Sequence, residues 1–178
     1  MLERAREYGP VGLVPLAWGF AAAAHLGYVG EHPLLVAHVV MVVLLAAFAA
    51  LSWTEMREGA LRAWRTVVTV GVGVTALGLL SFRVPAEPAG VLRAAAVVGW
   101  MVLPAWGLAD TARRTPDPAF ARVYLGAAVA SVAGASLAVT GLAAARSLPA
   151  AGWVVLTGIA VTGVGQTASI VAAARQGA

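Results

Sequence analysis

Six stretches of roughly 20 mostly apolar residues follow one another along this chain, at about 10–29, 33–54, 64–82, 91–109, 123–144 and 152–173. A bilayer core about 30 Å thick is crossed by roughly 20 residues of α-helix at about 1.5 Å each, and a helix lets the backbone satisfy its own hydrogen bonds in lipid. The expected fold class is therefore all-α: a polytopic membrane protein built as a six-transmembrane-helix bundle with short loops. The breaks Gly30-Glu31-His32, Glu55–Arg62, Arg83–Gly90, Asp110–Phe120 and Arg146–Ala151 each carry charge, proline or glycine, the residues that interrupt such helices. No stretch remains for a soluble domain, so residues 1–178 read as a single transmembrane helical domain.

Composition agrees and removes several function classes. The chain is 61% hydrophobic and 11% charged, with a mean hydropathy of +0.86, outside the range of soluble domains. All twelve basic residues are arginine, against eight acids. Charges this sparse gather in loops, so the pI near 10.7 reflects loop chemistry, and no nucleic-acid partner is expected. The absence of lysine excludes a Schiff base to retinal or pyridoxal phosphate. The absence of cysteine excludes disulfides, thiolate metal sites, iron–sulfur clusters and cysteine nucleophiles.

Arginine also sets orientation, because positive residues near helix ends stay in the cytoplasm. One side holds Arg4, Arg6, Arg57, Arg62, Arg65, Arg113, Arg114, Arg122 and Arg175, and the other holds only Arg83, Arg93 and Arg146. Both termini are expected in the cytoplasm, with the protein integral to the cytoplasmic membrane as a multi-pass chain. The first stretch has the basic start and small residues, Ala22 and Ala24, of a secretory signal, but its apolar run continues to Val29, which suits an uncleaved span. Trp53, Trp64, Trp106 and Tyr124 fall near the arginine-rich ends and Tyr28 and Trp153 near the others, as interfacial anchoring rings do. Pro15 with Trp18 resembles Pro104 with Trp106, yet the two pairs sit at different offsets within their stretches, so an inverted repeat is not expected.

Ionisable groups at membrane depth are costly, and their positions are the first functional pointer. His25 lies five residues before Gly30 and His38 five after Pro33. In an antiparallel hairpin both fall roughly 7–8 Å below the turn. Glu31 and His32 occupy that turn, and Met41 follows His38 by about one helical turn. His25, His38, Glu31 and His32 are thus the candidate metal-site residues, and the expected function is to bind or relay a small cation or proton, as a carrier or a subunit of a membrane complex. A transition-metal ion or haem b is the cofactor such histidines imply. The alternative for the pair is structural, each imidazole bonding to a carbonyl or hydroxyl of a neighbouring helix.

His32-Pro33-Leu34-Leu35 resembles the His-Pro opening of a cytochrome b561-type helix over those four residues. The resemblance implies a haem b-containing electron-transfer subunit. The last four stretches hold no histidine to supply the further ligands that family needs, and packed neighbouring helices about 8–10 Å apart leave no room for a porphyrin between both rings.

Glycines at 71, 73 and 78, at 126, 134 and 141, and at 158, 163 and 165, with Ser131, permit close backbone approach within the bundle or between protomers. Thr157, Thr162, Gln166, Thr167 and Ser169 give the last stretch a polar character that either lines a path or bonds back to its own carbonyls. Trp18, Ala21, Ala22, His25 and Tyr28 share one helical face. A structural or assembly subunit without a ligand site is the remaining alternative, its partners being the bilayer and a second copy or a larger complex. Enzyme chemistry has least support, for no nucleophile–base pair lies at membrane depth and no nucleotide, zinc-protease or serine-nucleophile motif is present.

Overall fold

The computed structural model describes the backbone of residues 2–177 and the side chains of residues 12–176. Six α-helices follow in order: α1 (Leu2–His25), α2 (Glu31–Leu51), α3 (Gly59–Leu80), α4 (Ala86–Arg114), α5 (Pro118–Ala143) and α6 (Ala151–Gly177). Short 3₁₀ turns at Glu55–Arg57 and Ser81–Arg83 precede α3 and α4, and no strand occurs among the described residues. Helices α2 to α6 are each long and apolar enough to cross a membrane, while the described side chains of α1 form a shorter apolar segment, Gly12–His25.

Local capping, and not hydropathy alone, sets some of the helix ends. Gly27, at φ 79°, closes α1. The Tyr28 amide donates to the Ala23 carbonyl at 2.9 Å and the Gly27 amide to Ala24 at 3.1 Å, the paired bonds of a left-handed glycine cap. Asp117 starts α5 by accepting the Ala119 amide at 2.7 Å, with Pro118 supplying a pre-set φ at the first helical position. Glu31 opens α2, where a carboxylate meets the positive end of the helix dipole.

The order of packing differs from a simple run of hairpins. Helices α2, α3, α4, α5 and α6 each lie against the next, and α1 lies against α6. The expectation that the first two helices pair therefore fails: a turn at residues 26–30 joins them, but α1 docks on the last helix and α2 on α3. The reason is surface shape. Gly163 gives α6 a flat patch on which Trp18 sits, its Cβ 3.0 Å and its ring Cγ 3.2 Å from where a glycine Cβ would stand. Gly78 gives α3 a similar seat for His38. Helix α2 is the most apolar of the five long helices and has no buried residue.

The interior is made of small side chains. Ala135 and Ala138 on α5 meet Met101, Val155 and Ile159, and Ala105 and Leu108 on α4 meet Tyr124, Ala127 and Ala128 on α5. Helices α5 and α6 approach closely at Gly134 and Gly158, where a Cβ on either glycine would meet the carbonyl oxygen of the other. Such reciprocal contact permits Cα–H···O bonding.

Candidate functional site

Polar side chains between the helices form a central network and a cluster at one rim. Gln166, on α6 and buried, is the hub of the first. Its Oε1 accepts the Trp18 indole N–H of α1 at 3.0 Å. Its Nε2 donates to the Ser131 hydroxyl of α5 and to the Trp100 carbonyl of α4, both at 3.3 Å. One amide thus touches three other helices.

The Trp100 carbonyl is available for a local reason. Pro104 stands inside α4 and has no N–H to give to the carbonyl four residues back, which would otherwise be an orphan in an apolar interior. Gln166 supplies the missing donor. Trp100 continues the network, its indole N–H donating to Thr75 of α3 at 3.0 Å. Thr75 in turn donates to its own Gly71 carbonyl at 2.9 Å.

Helices α3 and α4 are fastened reciprocally. The Trp100 ring of α4 covers Gly71, and its N–H reaches Thr75 one turn on. In the same way the Trp64 ring of α3 covers Gly107 of α4, and its N–H reaches Thr111 at 3.0 Å. Thr111 then donates to the Gly107 carbonyl at 2.8 Å. Each glycine clears space for a ring, and each threonine accepts the indole proton while returning its own proton to that glycine. Trp64, Gly71 and Thr75 have the same spacing along α3 as Trp100, Gly107 and Thr111 along α4, the signal by which the sequence shows this correspondence. The Pro–Trp pairs carry no such relation: Trp18 clasps α6, whereas Trp106 is half exposed. Trp64 and Tyr124, expected as interfacial anchors, point inward, and the Tyr124 hydroxyl donates to Gln176 at 2.6 Å. Trp53 does lie exposed, under the Arg65 guanidinium at 4.7 Å.

At the opposite end stand the four residues expected to form a metal site. The structure attaches them to different neighbours. His25 bonds through Nε2 to the Gly152 carbonyl of α6 at 3.0 Å. His38 bonds through Nδ1 to the Leu34 carbonyl of its own helix at 2.8 Å, its ring lying over Gly78 of α3 and edge-on to Phe82 at 5.6 Å. Glu31 pairs with Arg93 of α4 at 3.0 Å. His32 is exposed on the first turn of α2. Among the described residues no three His, Cys, Asp or Glu side chains gather where a metal ion could be held.

Haem b fits these residues no better. A Cβ on Gly78 would stand 2.5 Å from His38 Nε2, so that nitrogen faces the α3 backbone with no room for an iron between them. The rim cluster centres on Arg93 instead, which holds Glu31, donates through Nε to Ser81 at 3.1 Å and lies over the Phe82 ring at 5.0 Å. It ties the start of α2 to the turn before α4. Met41 of α2 is exposed.

Of the polar stripe on α6, Gln166 and Ser169 are engaged, Ser169 with the Gln166 carbonyl at 2.7 Å, and Thr157 bonds back to Trp153 at 2.8 Å. Thr162 is fully buried, and its hydroxyl has no conventional hydrogen-bond partner. That oxygen lies against Gly134 of α5, whose Cα–H points toward it. No family model, curated protein or solved structure matches this chain.

Proposed function

We propose that this chain is a six-span integral protein of the cytoplasmic membrane, with both termini on the arginine-rich cytoplasmic side, that works by association within the bilayer as a structural or assembly subunit. One observation carries the reading: the polar groups at depth are spent on joining its own helices, while α2, the most apolar long helix, buries nothing. The unpacked gap between α1 and α2 offers a partner helix an edge that the chain does not close itself. Orientation draws support from the pairing of ends. The bonds of Trp64 to Thr111 and Tyr124 to Gln176 put the arginine-rich ends of α3 to α6 together, and Glu31 to Arg93 joins the opposite ends of α2 and α4.

A photoreactive residue at Val40, Val43 or Leu44, all exposed on α2, tests association in native membranes. The expected result is a discrete adduct with one polypeptide that also co-purifies at fixed stoichiometry. Adducts with lipid alone end this reading. Since the chain lacks cysteine, single Glu58→Cys and Ser147→Cys variants report topology without background, the first labelled from the cytoplasm and the second from outside.

A second reading, in which the His-bearing end binds or relays a small cation or proton, draws on His32, an exposed imidazole beside Glu31 with no bond among the described residues. Metal content and proton uptake of the purified protein, compared with a His32→Ala variant and a His25→Ala, His38→Ala variant, test it. Identical values in all three remove it.

A further inference from the structure

On the outer face of α4 and α5 an apolar groove of about 560 Å³ is lined by Val102, Ala105 and Trp106 of α4 and by Val129, Val132 and Ala133 of α5, among others. Its volume lies within the range of small-ligand sites, and apart from the Trp106 indole N–H its lining is aliphatic. Whatever fills it is apolar along its length, and in a bilayer the abundant candidate is an acyl chain.

The ends of the groove differ. Followed toward the arginine-rich end, the stripe of α4 through Val102, Trp106 and Ala109 reaches Arg113, two turns past Trp106. The stripe of α5 through Ala133 and Val129 reaches Arg122, two turns before Val129. The helices are antiparallel neighbours and Trp106 and Val129 line one groove, so each arginine stands about two helical turns beyond its groove residue, both toward the same end. Both are exposed. Arg113 makes no direct ion pair among the described residues, although its charge also acts on Asp110, whose carboxylate is held by Arg114 at 2.7 Å. Arg122 gives only Nε, to the Pro118 carbonyl at 3.1 Å, leaving its terminal nitrogens free. Asp117, in the turn between the two helices, accepts the Ala119 amide through Oδ1 and pairs with neither arginine.

We infer that this face binds an anionic glycerophospholipid of the arginine-rich leaflet, one acyl chain lying in the α4–α5 groove and the phosphate held between Arg113 and Arg122. Charge complementarity selects the occupant: two exposed guanidinium groups without a direct ion pair, above an apolar groove, match an anionic headgroup on a hydrocarbon tail, and guanidinium is suited to bidentate phosphate contact. A zwitterionic lipid satisfies the channel but brings a cation to the arginines. The inference requires only that the chain spans a membrane, and extraction of the protein by alkaline carbonate without detergent would remove that premise separately.

The test is native mass spectrometry of the full-length protein released from nanodiscs of phosphatidylcholine doped with phosphatidylglycerol. The wild type is expected to retain one phosphatidylglycerol in preference to phosphatidylcholine. An Arg113→Gln, Arg122→Gln variant loses that preference by about 30-fold, the size expected for two arginine–headgroup contacts. Ala133→Trp, at an exposed position in the groove, displaces the lipid while both arginines remain. An Arg57→Gln, Arg62→Gln variant, with the same charge loss on another loop, retains it. Equal retention of the two lipids, equal loss in the Arg57, Arg62 variant, insensitivity to Ala133→Trp, or displacement by millimolar inorganic phosphate would each overturn the assignment.

Discussion

The junction between Pro104 and Gln166 makes a sharp energetic prediction. Replacing Gln166 by methionine keeps the volume but removes three interhelical hydrogen bonds, to Trp18, Ser131 and the Trp100 carbonyl. Such bonds in membrane proteins average about 0.6 kcal/mol each, so the expected loss is about 2 kcal/mol. The Trp100 carbonyl is the distinctive part, because Pro104 denies it a helical donor. A Pro104→Ala substitution restores that donor. In the Pro104→Ala background Gln166→Met is therefore expected to cost less, by about 0.6 kcal/mol and at most about 1.7. The four proteins of this cycle are compared by equilibrium unfolding in mixed micelles, followed through tryptophan fluorescence, and changes in packing common to both backgrounds cancel. Additivity within about 0.3 kcal/mol would refute the claim that Gln166 compensates for the proline.

Other positions separate close contact from mere glycine content. Gly134→Ala places a Cβ against the Thr162 hydroxyl and 2.5 Å from the Gly158 carbonyl oxygen, so α5 and α6 must part, with an expected loss of about 1–3 kcal/mol in the same unfolding assay. Gly73→Ala meets nothing within 4 Å and is expected to be neutral or to stabilise by up to about 1 kcal/mol. Thr75→Val and Thr111→Val each remove the acceptor of one indole N–H and should cost similar amounts, about 0.5–1.5 kcal/mol, with a shift in tryptophan emission. Glu31→Gln breaks a largely exposed pair with Arg93, and thermal unfolding should register a change of only about 0–1 kcal/mol.

The helices were legible because their apolar runs match the length a bilayer demands. Their neighbours were not. A tight turn ordinarily predicts adjacent packing, but the seats for Trp18 and His38 are glycines far along the chain, Gly163 and Gly78, and spacing within the first hairpin holds no trace of them. The exposed link from Glu31 to the Pro-rich turn region could be anticipated from charge alone, and Arg93 supplies it. The hub at Gln166 was visible as a lone buried amide without its partners, since the donorless carbonyl comes from a proline on another helix. The shared Trp, Gly and Thr spacing of α3 and α4 was present in the letters, yet only the contacts gave it meaning.

Docking α1 on α6 has a temporal consequence. Trp18 and its acceptor Gln166 are 148 residues apart, and at roughly 5–20 residues per second a ribosome needs about 7–30 s to make the chain between them. During that interval α1 lacks the partner that completes it. Whatever shelters α1 while the chain is being made must hold it until α6 has emerged.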